Sequence, residues 1–416
     1  LRVDPDAVAV ADVATALADV LLDLAPIYLT SKTQQLDAAK ALIDVFAASG
    51  KDPATLAGNL GVDPIGAAAL AGTDADLSVL AQAVELAKPY PGVRPVVVDA
   101  TVYHNAGAGD VHELAYAVAV GVEYVRALTE AGLTVDEAFD AIMFRVSATT
   151  DQFATIARLR ALRGLWSRVG EVLGVTEAKR GAIQHAVTSE RQISRDDAYV
   201  NMLRGTISCF AASAGGAEVQ TVLPFDTAAG LPTDFSRRTA RNTQVVLAEE
   251  SNVGRVNDPA GGSWFVESLT KQLSDKAWAV FQGIDGEGFA AALADGTVKA
   301  QLDEVNAARA AQLATRKIQL TGVSMFPNHE EAALERKARP AAPELGGLKV
   351  VRDSQVFEDL RDRSAAAREA GNAPTVLLAC LGARRDFGGR EGFTSNLLHV
   401  GGLDTIVAEG ETPEDF

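Results

Sequence analysis

The sequence predicts an α/β protein: a (β/α)8 TIM barrel, then a linker, then the beginning of a second α/β domain. Three observations carry this. Short β-branched runs alternate with Ala/Leu/Val-periodic helical stretches from Leu1 to about residue 285. Eight such units follow one another without a break, which suits a closed barrel better than an open doubly wound sheet. A Pro-containing stretch then separates them from a new strand-helix pattern.

The eight strand candidates are 1–4, 26–30, 56–60, 95–100, 142–146, 182–187, 219–223 and 255–258. Between them the helical period is plain at 111–131, where Leu114, Ala117, Val118, Val122 and Val125 mark one apolar face. The first strand opens directly on Leu1, so a preceding N-terminal segment is expected. After the eighth unit, 263–313 continues as amphipathic helix, and 332–347 carries the linker sequence Arg339-Pro340-Ala341-Ala342-Pro343. Beyond it, 354–370 reads as helix and the apolar run 375–381, ending at Gly382, reads as strand. Only one more helix and the run 404–408 follow, too little to close a sheet with its own core, so a further C-terminal segment is expected. The predicted organisation is barrel 1–285, helical and Pro-containing linker 286–371, and partial α/β domain 372–416.

At 416 residues with 48% hydrophobic and 22% charged residues, the chain is long enough for a large core. It has neither a bilayer-spanning apolar run nor a signal peptide, so no membrane role is expected and a cytoplasmic location is. A net charge of -17 would repel a phosphate backbone, which argues against nucleic acid as a partner. Cys209 and Cys380 are too few and too far apart for a disulfide framework or a thiolate metal site.

In a TIM barrel the chemistry sits just past the C-terminal ends of the strands. The fourth strand leads into Tyr103-His104-Asn105-Ala106-Gly107-Ala108-Gly109-Asp110. A tyrosine hydroxyl beside an imidazole can hold a carbonyl oxygen, although a structural polar pair has the same appearance. Gly107 and Gly109 do not make a dinucleotide fingerprint, since His112 stands where the third glycine is needed. His104 and His112 are eight apart, outside metal-ligand spacings, and no metal site is expected. No nucleophile elbow or Walker loop is present. The stretch 257–263, Asn-Asp-Pro-Ala-Gly-Gly-Ser, reads either as a tight turn with a helix cap or as a backbone-amide surface facing the barrel mouth.

These motifs resemble a known family. Tyr103-His104 with Ala106-Gly107, the run Arg-Arg-Thr-Ala-Arg-Asn-Thr at 237–243, and Asn257-Asp258-Pro259 with Gly262-Ser263 are similar to the barrel of methylmalonyl-CoA mutases, and the likeness extends along the whole chain. The resemblance implies an acyl-CoA threaded along the barrel axis and a flavodoxin-like C-terminal domain that presents adenosylcobalamin over the mouth. The cofactor supplies the radical that interconverts methylmalonyl-CoA and succinyl-CoA.

The departures from that pattern are as informative. Catalytic chains carry a cobalamin loop Asp-x-His-x-x-Gly, whose His coordinates cobalt. Here Ala383 stands at the Asp position and Arg385 at the His position, with only Gly388 retained. A guanidinium has no lone pair for a metal. The Gln and Arg that meet substrate in catalytic chains fall at Gly58 and Ala68, which would cost a carboxylate a charge-assisted bond of about 1.5–3 kcal/mol. The stretch 184–189 likewise lacks an Arg expected near CoA, while 386–393, Asp-Phe-Gly-Gly-Arg-Glu-Gly-Phe, resembles the paired small chains of heterodimeric enzymes.

The resemblance therefore implies an isomerase subunit without a working active site, in which Tyr103 and His104 are remnants. It would support a catalytic large (alpha) subunit that holds adenosylcobalamin, binding no cofactor itself. An acyl-CoA-binding or weakly active isomerase chain is the first alternative, and a regulatory binding module with a vacated barrel the second.

Overall fold

The computed structural model describes residues 1–328, 331–339 and 344–416. Positions 340–343 of the predicted Pro-rich linker lie outside these residues. Seven strands, β1 (Arg2–Val3), β2 (Ile27–Leu29), β3 (Ala57–Val62), β4 (Gly92–Asp99), β5 (Ile142–Ala148), β6 (Gln184–Thr188) and β7 (Val219–Thr221), form one parallel sheet in chain order. Two contacts show that this sheet curls on itself. Arg145 of β5 reaches the Leu29 carbonyl of β2 at 2.8 Å, three strands away. The His185 ring of β6 lies 5.5 Å from the Tyr28 ring of β2, four strands away. The result is a nearly closed TIM-type barrel, as the strand-helix alternation predicts.

β5 and β6 are buried on both faces, as strands with helices outside and barrel side chains inside must be. Helices cover the outside: α1 (Val13–Ala16) after β1, α2 (Gln35–Ala48) after β2, α3 (Pro64–Ala71) and α4 (Val79–Ala87) after β3. β4 is followed by α5 (Thr101–Asn105), α6 (Asp110–Glu130) and α7 (Val135–Ala141), β5 by α8 (Gln152–Leu173), β6 by α9 (Val200–Ala214), and β7 by α10 (Asp234–Val245). The limits of α8 follow local chemistry. The Asp151 carboxylate accepts the Ala154 N–H at its start, and Gly174 takes a left-handed φ of 76° at its end.

Trp166 of α8 is the largest fully buried side chain. It stacks 4.4 Å from Phe139 of α7 and meets Phe144 of β5 edge-on at 4.9 Å. Gly121 of α6 leaves the room: a Cβ there would lie 2.8 Å from the indole. Sheet, α6, α7 and α8 thus share one packing point.

The eighth predicted strand is not a strand. Residues 255–258 are bends and turns, with Asp258 at φ 45° and Val256 66% exposed. Arg160 of α8 draws Asp258 outward in a bidentate pair of 2.8 and 3.0 Å, and the segment offers no buried apolar side chain to hold it in the sheet. A single-turn π-helix, Val246–Glu250, precedes it, and α11 (Trp264–Asp285), α12 (Phe289–Ala294) and α13 (Thr297–Ala314) follow. The stretch 257–263 is a tight turn, but Ser263 makes no side-chain cap to α11. Its amides are used locally, Gly261 N–H on the Asp258 carbonyl and Gly262 N–H on Glu267.

The C-terminal unit comprises α14 (Gln355–Glu369), β8 (Thr375–Leu381), α15 (Arg384–Val400) and β9 (Asp404–Gly410), with β8 and β9 paired in parallel. β8 and β9 match the predicted runs, but Leu377, Leu381 and Ile406 on them are exposed. No helix among the described residues is long and apolar enough to cross a membrane. We expect Trp166→Ala to lower unfolding free energy by about 3–5 kcal/mol in urea titrations followed by far-UV circular dichroism.

Candidate functional site

A buried polar cluster lies at the C-terminal ends of β4, β5 and β6. His104, on the short helix α5, is 1% exposed and uses both ring nitrogens. Nδ1 faces Glu113 Oε2 of α6 at 3.1 Å, and Nε2 faces Ser189 Oγ, just past β6, at 2.7 Å. Glu113 is fully buried and accepts from the Ser147 N–H (2.6 Å), the Ser147 hydroxyl (2.7 Å) and Arg158 Nη1 of α8 (2.8 Å). Arg158, 1% exposed, also donates to Asp110 at 2.7 Å and to the Ser147 carbonyl.

The protonation states follow. Burial alone would raise the Glu113 pKa, but Arg158, His104 and the Ser147 N–H together bring it to about 2. Burial lowers His104 to about 4, aided by the Arg191 charge and opposed by Glu113. At neutral pH, Glu113 is therefore a carboxylate and His104 a neutral imidazole. Its Nδ1–H donates to Glu113, and its Nε2 accepts from the Ser189 hydroxyl. A base so occupied has no free lone pair for a reactant unless Ser189 moves.

Tyr103 points elsewhere. Its ring packs against Tyr116 of α6 (5.6 Å) and Phe289 of α12 (5.1 Å), and its buried hydroxyl has no hydrogen-bond partner among the described residues. The two residues that the sequence sets side by side do not form one contact surface. Glu113, Ser147, Arg158 and Ser189 complete the cluster and escaped sequence reading. The signal available was a charged residue inside a buried helical stripe: Glu113 beside Leu114 and Ala117, Arg158 beside Ala157 and Ala161.

Two side chains make contacts across the barrel interior. Arg145 spans it, pairing with Asp99 of β4 at 2.7 Å and reaching across to β2. His185, held to Thr221 at 2.8 Å, covers Tyr28. Gln184 turns away, onto the Leu159 carbonyl of α8. Gly58 has no room for a larger residue, because a Cβ there would stand 1.8 Å from the Ile27 carbonyl oxygen. Ala68 is buried in α3. The run 237–243 lies on α10, where Arg237 meets the Pro232 carbonyl and Arg238 sits over Phe235, outside the mouth cluster.

At the other end of the chain, Ala383 caps α15, while Arg385 has an 87% exposed side chain whose nearest acid is Asp386, at 3.7 Å. Gly388 is an ordinary helical residue of α15. Ala383, Arg385 and Gly388 offer no lone pair to cobalt, so these residues do not fit adenosylcobalamin ligation. No group of three or more His, Cys, Asp or Glu that could hold a metal ion occurs among the described residues.

Fold and mouth together define a TIM-type barrel with an internally hydrogen-bonded polar cluster where such barrels place their chemistry. The particular family is shown by comparison: residues 7–384 match the methylmalonyl-CoA mutase family, and the chain belongs to it. It is 56% identical, over its whole length, to the methylmalonyl-CoA mutase small subunit of Propionibacterium freudenreichii subsp. shermanii, and spans 65% of that protein. It is 46% identical over 94% of its length to the small subunit of Streptomyces virginiae, spanning 64% of it. To the methylmalonyl-CoA mutase of Escherichia coli K12 it is 38% identical over 55% of its length, covering 33% of that protein. The chain thus spans just under two thirds of the small subunits it matches.

Two outcomes are expected. Glu113→Gln leaves Arg158 buried beside a neutral amide and should destabilise the chain by about 3–5 kcal/mol, read as a lower urea midpoint. The pH dependence has two opposing parts. His104 binds its proton less readily folded than unfolded, so it adds stability as pH rises from about 4 to 6.5. Asp63, raised to about 7 by burial and the neighbouring Asp99, does the reverse over about pH 4 to 7. Asp63→Asn should therefore steepen the rise, by up to about 1.4 kcal/mol per pH unit in urea titrations between about pH 4.5 and 6.

Proposed function

We propose that this chain is the small subunit of a heterodimeric adenosylcobalamin-dependent methylmalonyl-CoA mutase, supporting a catalytic large subunit in the cytoplasm rather than carrying the reaction itself. The observation that carries this reading is the pair Ala383 and Arg385, where a cobalamin-binding loop needs a carboxylate and an imidazole. The barrel supports it: Arg145 and His185 occupy the axis, Gly58 has no space for a substrate-contacting side chain, and His104 spends both nitrogens on its own fold. Tyr103 and His104 are then inherited residues with a packing role.

A duplicated chain that pairs with its catalytic counterpart keeps the surface of a homodimer while one half loses its site. Its contribution is stabilisation of the partner. The contacts across the barrel interior count against both alternatives, a weakly active acyl-CoA chain and a regulatory module with a vacant barrel, because each needs space that Arg145 and His185 take.

The test mixes the protein with adenosylcobalamin, desalts it and reads retained corrin absorbance, alone and with the large subunit. We expect colour to wash off the chain alone and to stay with the pair. Near-stoichiometric colour on the chain alone would overturn the proposal.

A further inference from the structure

The Gly-rich turn 105–109 after α5 finds no part in the proposed function, yet residues from distant parts of the chain converge on it. The His104 and Ala108 carbonyls accept from Arg191 Nη1, at 3.1 and 2.9 Å. The Asn105 carbonyl accepts the Val351 N–H at 2.8 Å, and the Ala106 carbonyl accepts Asn306 Nδ2 of α13, also at 2.8 Å. Gly107, at φ 113°, is needed here: a Cβ would lie 1.9 Å from the Asn306 amide oxygen. The turn is therefore shaped as a receptor for residues from three distant places in the chain, Arg191, Asn306 and Val351.

The segment 344–353 is the main occupant. Its Gly346, Gly347 and Leu348 N–H groups satisfy the Ala71, Leu70 and Ala69 carbonyls at 3.2, 3.0 and 2.8 Å, the acceptors that α3 leaves open at its last turn. Gly347 must lack a side chain, since a Cβ would stand 2.0 Å from the Ala69 oxygen. The segment then crosses the turn at Val351 and ends on Asp353, which is 5% exposed. Asp353 donates its N–H to the Arg191 carbonyl (3.0 Å), and its carboxylate takes Arg309 of α13 in two bonds, one of 2.7 Å, with Arg191 Nε 4.0 Å away.

Beyond Asp353 the C-terminal unit is held to the same rim largely by charge. Arg195 pairs with Asp362 and gives its N–H to Glu358, and Arg361 pairs with Asp196. The apolar cluster at this joint is small, with Val323, Phe357 and Val400 at its centre. A joint of few apolar and many polar contacts can open while the main core stays closed.

We propose that residues 344–353 are a lid fastened by Asp353 to Arg191 and Arg309, which shuts the His104 turn only while the C-terminal unit is docked. Arg191 is the positioning residue, because it grips the turn with its guanidinium and the lid with its carbonyl. Release of the C-terminal unit frees the turn and uncovers the mouth cluster. This inference rests on the chain's own contacts and stands whether or not the chain is catalytic.

Hydrogen exchange followed by mass spectrometry on the intact chain tests it, using Asp353→Asn and Arg309→Gln, which break the pair from either side. In both variants, amides of 344–353 and of 103–113 should exchange at least tenfold faster, while 142–148 and 184–188 keep their protection. The proposal is overturned if 344–353 opens with 103–113 unchanged, or if neither segment changes. Loss of protection in 142–148 as well would also overturn it, making Asp353 a determinant of the whole fold instead of a fastener.

Discussion

The ion pair of Glu113 with Arg158 is the interaction on which the barrel mouth depends. Both groups are essentially removed from water, so each is tolerable only while the other is present and most of the remaining lone pairs and N–H groups find partners, Arg158 Nε being without one among the described residues. That demand recruits Ser147 from β5, His104 from the turn after β4, and Asp110 at the start of α6. Four elements are thereby fixed to one another at a point where loops would otherwise meet. The arrangement also decides what His104 is. An imidazole between a carboxylate and a serine hydroxyl, depressed by burial and nearby arginines, is a neutral crosslink at physiological pH.

The same economy of space runs down the barrel. In the first alternative reading of the sequence, the axis holds a ligand; here Arg145 crosses it and ends on a backbone carbonyl of the opposite strand. A side chain committed in this way has to be displaced, together with its Asp99 partner, before anything else can enter. The internal brace takes space that a ligand on the axis would need, which agrees with the proposed supporting role.

Much of the barrel was legible because short strand-like runs alternate with helical stretches of clear period; 142–146 and 219–223 differ from the observed strands by only two residues at one end. The eighth strand was misread because 255–258 has strand-like spacing but only one large apolar residue, and the competing attraction is a salt bridge to Arg160 that no local pattern reveals. In the mouth, Tyr103 and His104 were visible as a motif, but their divergence was not. It depends on where α6 and α12 place Tyr116 and Phe289, one of them more than 180 residues away in sequence. The contacts that 344–353 makes within the predicted linker were hidden for a similar reason, since a chain that satisfies another helix's carbonyls carries no periodicity of its own.

The β8–β9 ribbon has a consequence for handling these 416 residues on their own. Its two strands pair only with each other among the described residues, and Leu377, Leu381 and Ile406 lie open on them. Unpaired backbone edges with apolar side chains are templates for sideways addition of another chain. What opposes that association is long-range repulsion from a net charge of -17, and it weakens with acid or with salt. Colloidal behaviour and folding stability therefore answer to different parts of the molecule, and a sample can turn cloudy while its barrel is still intact.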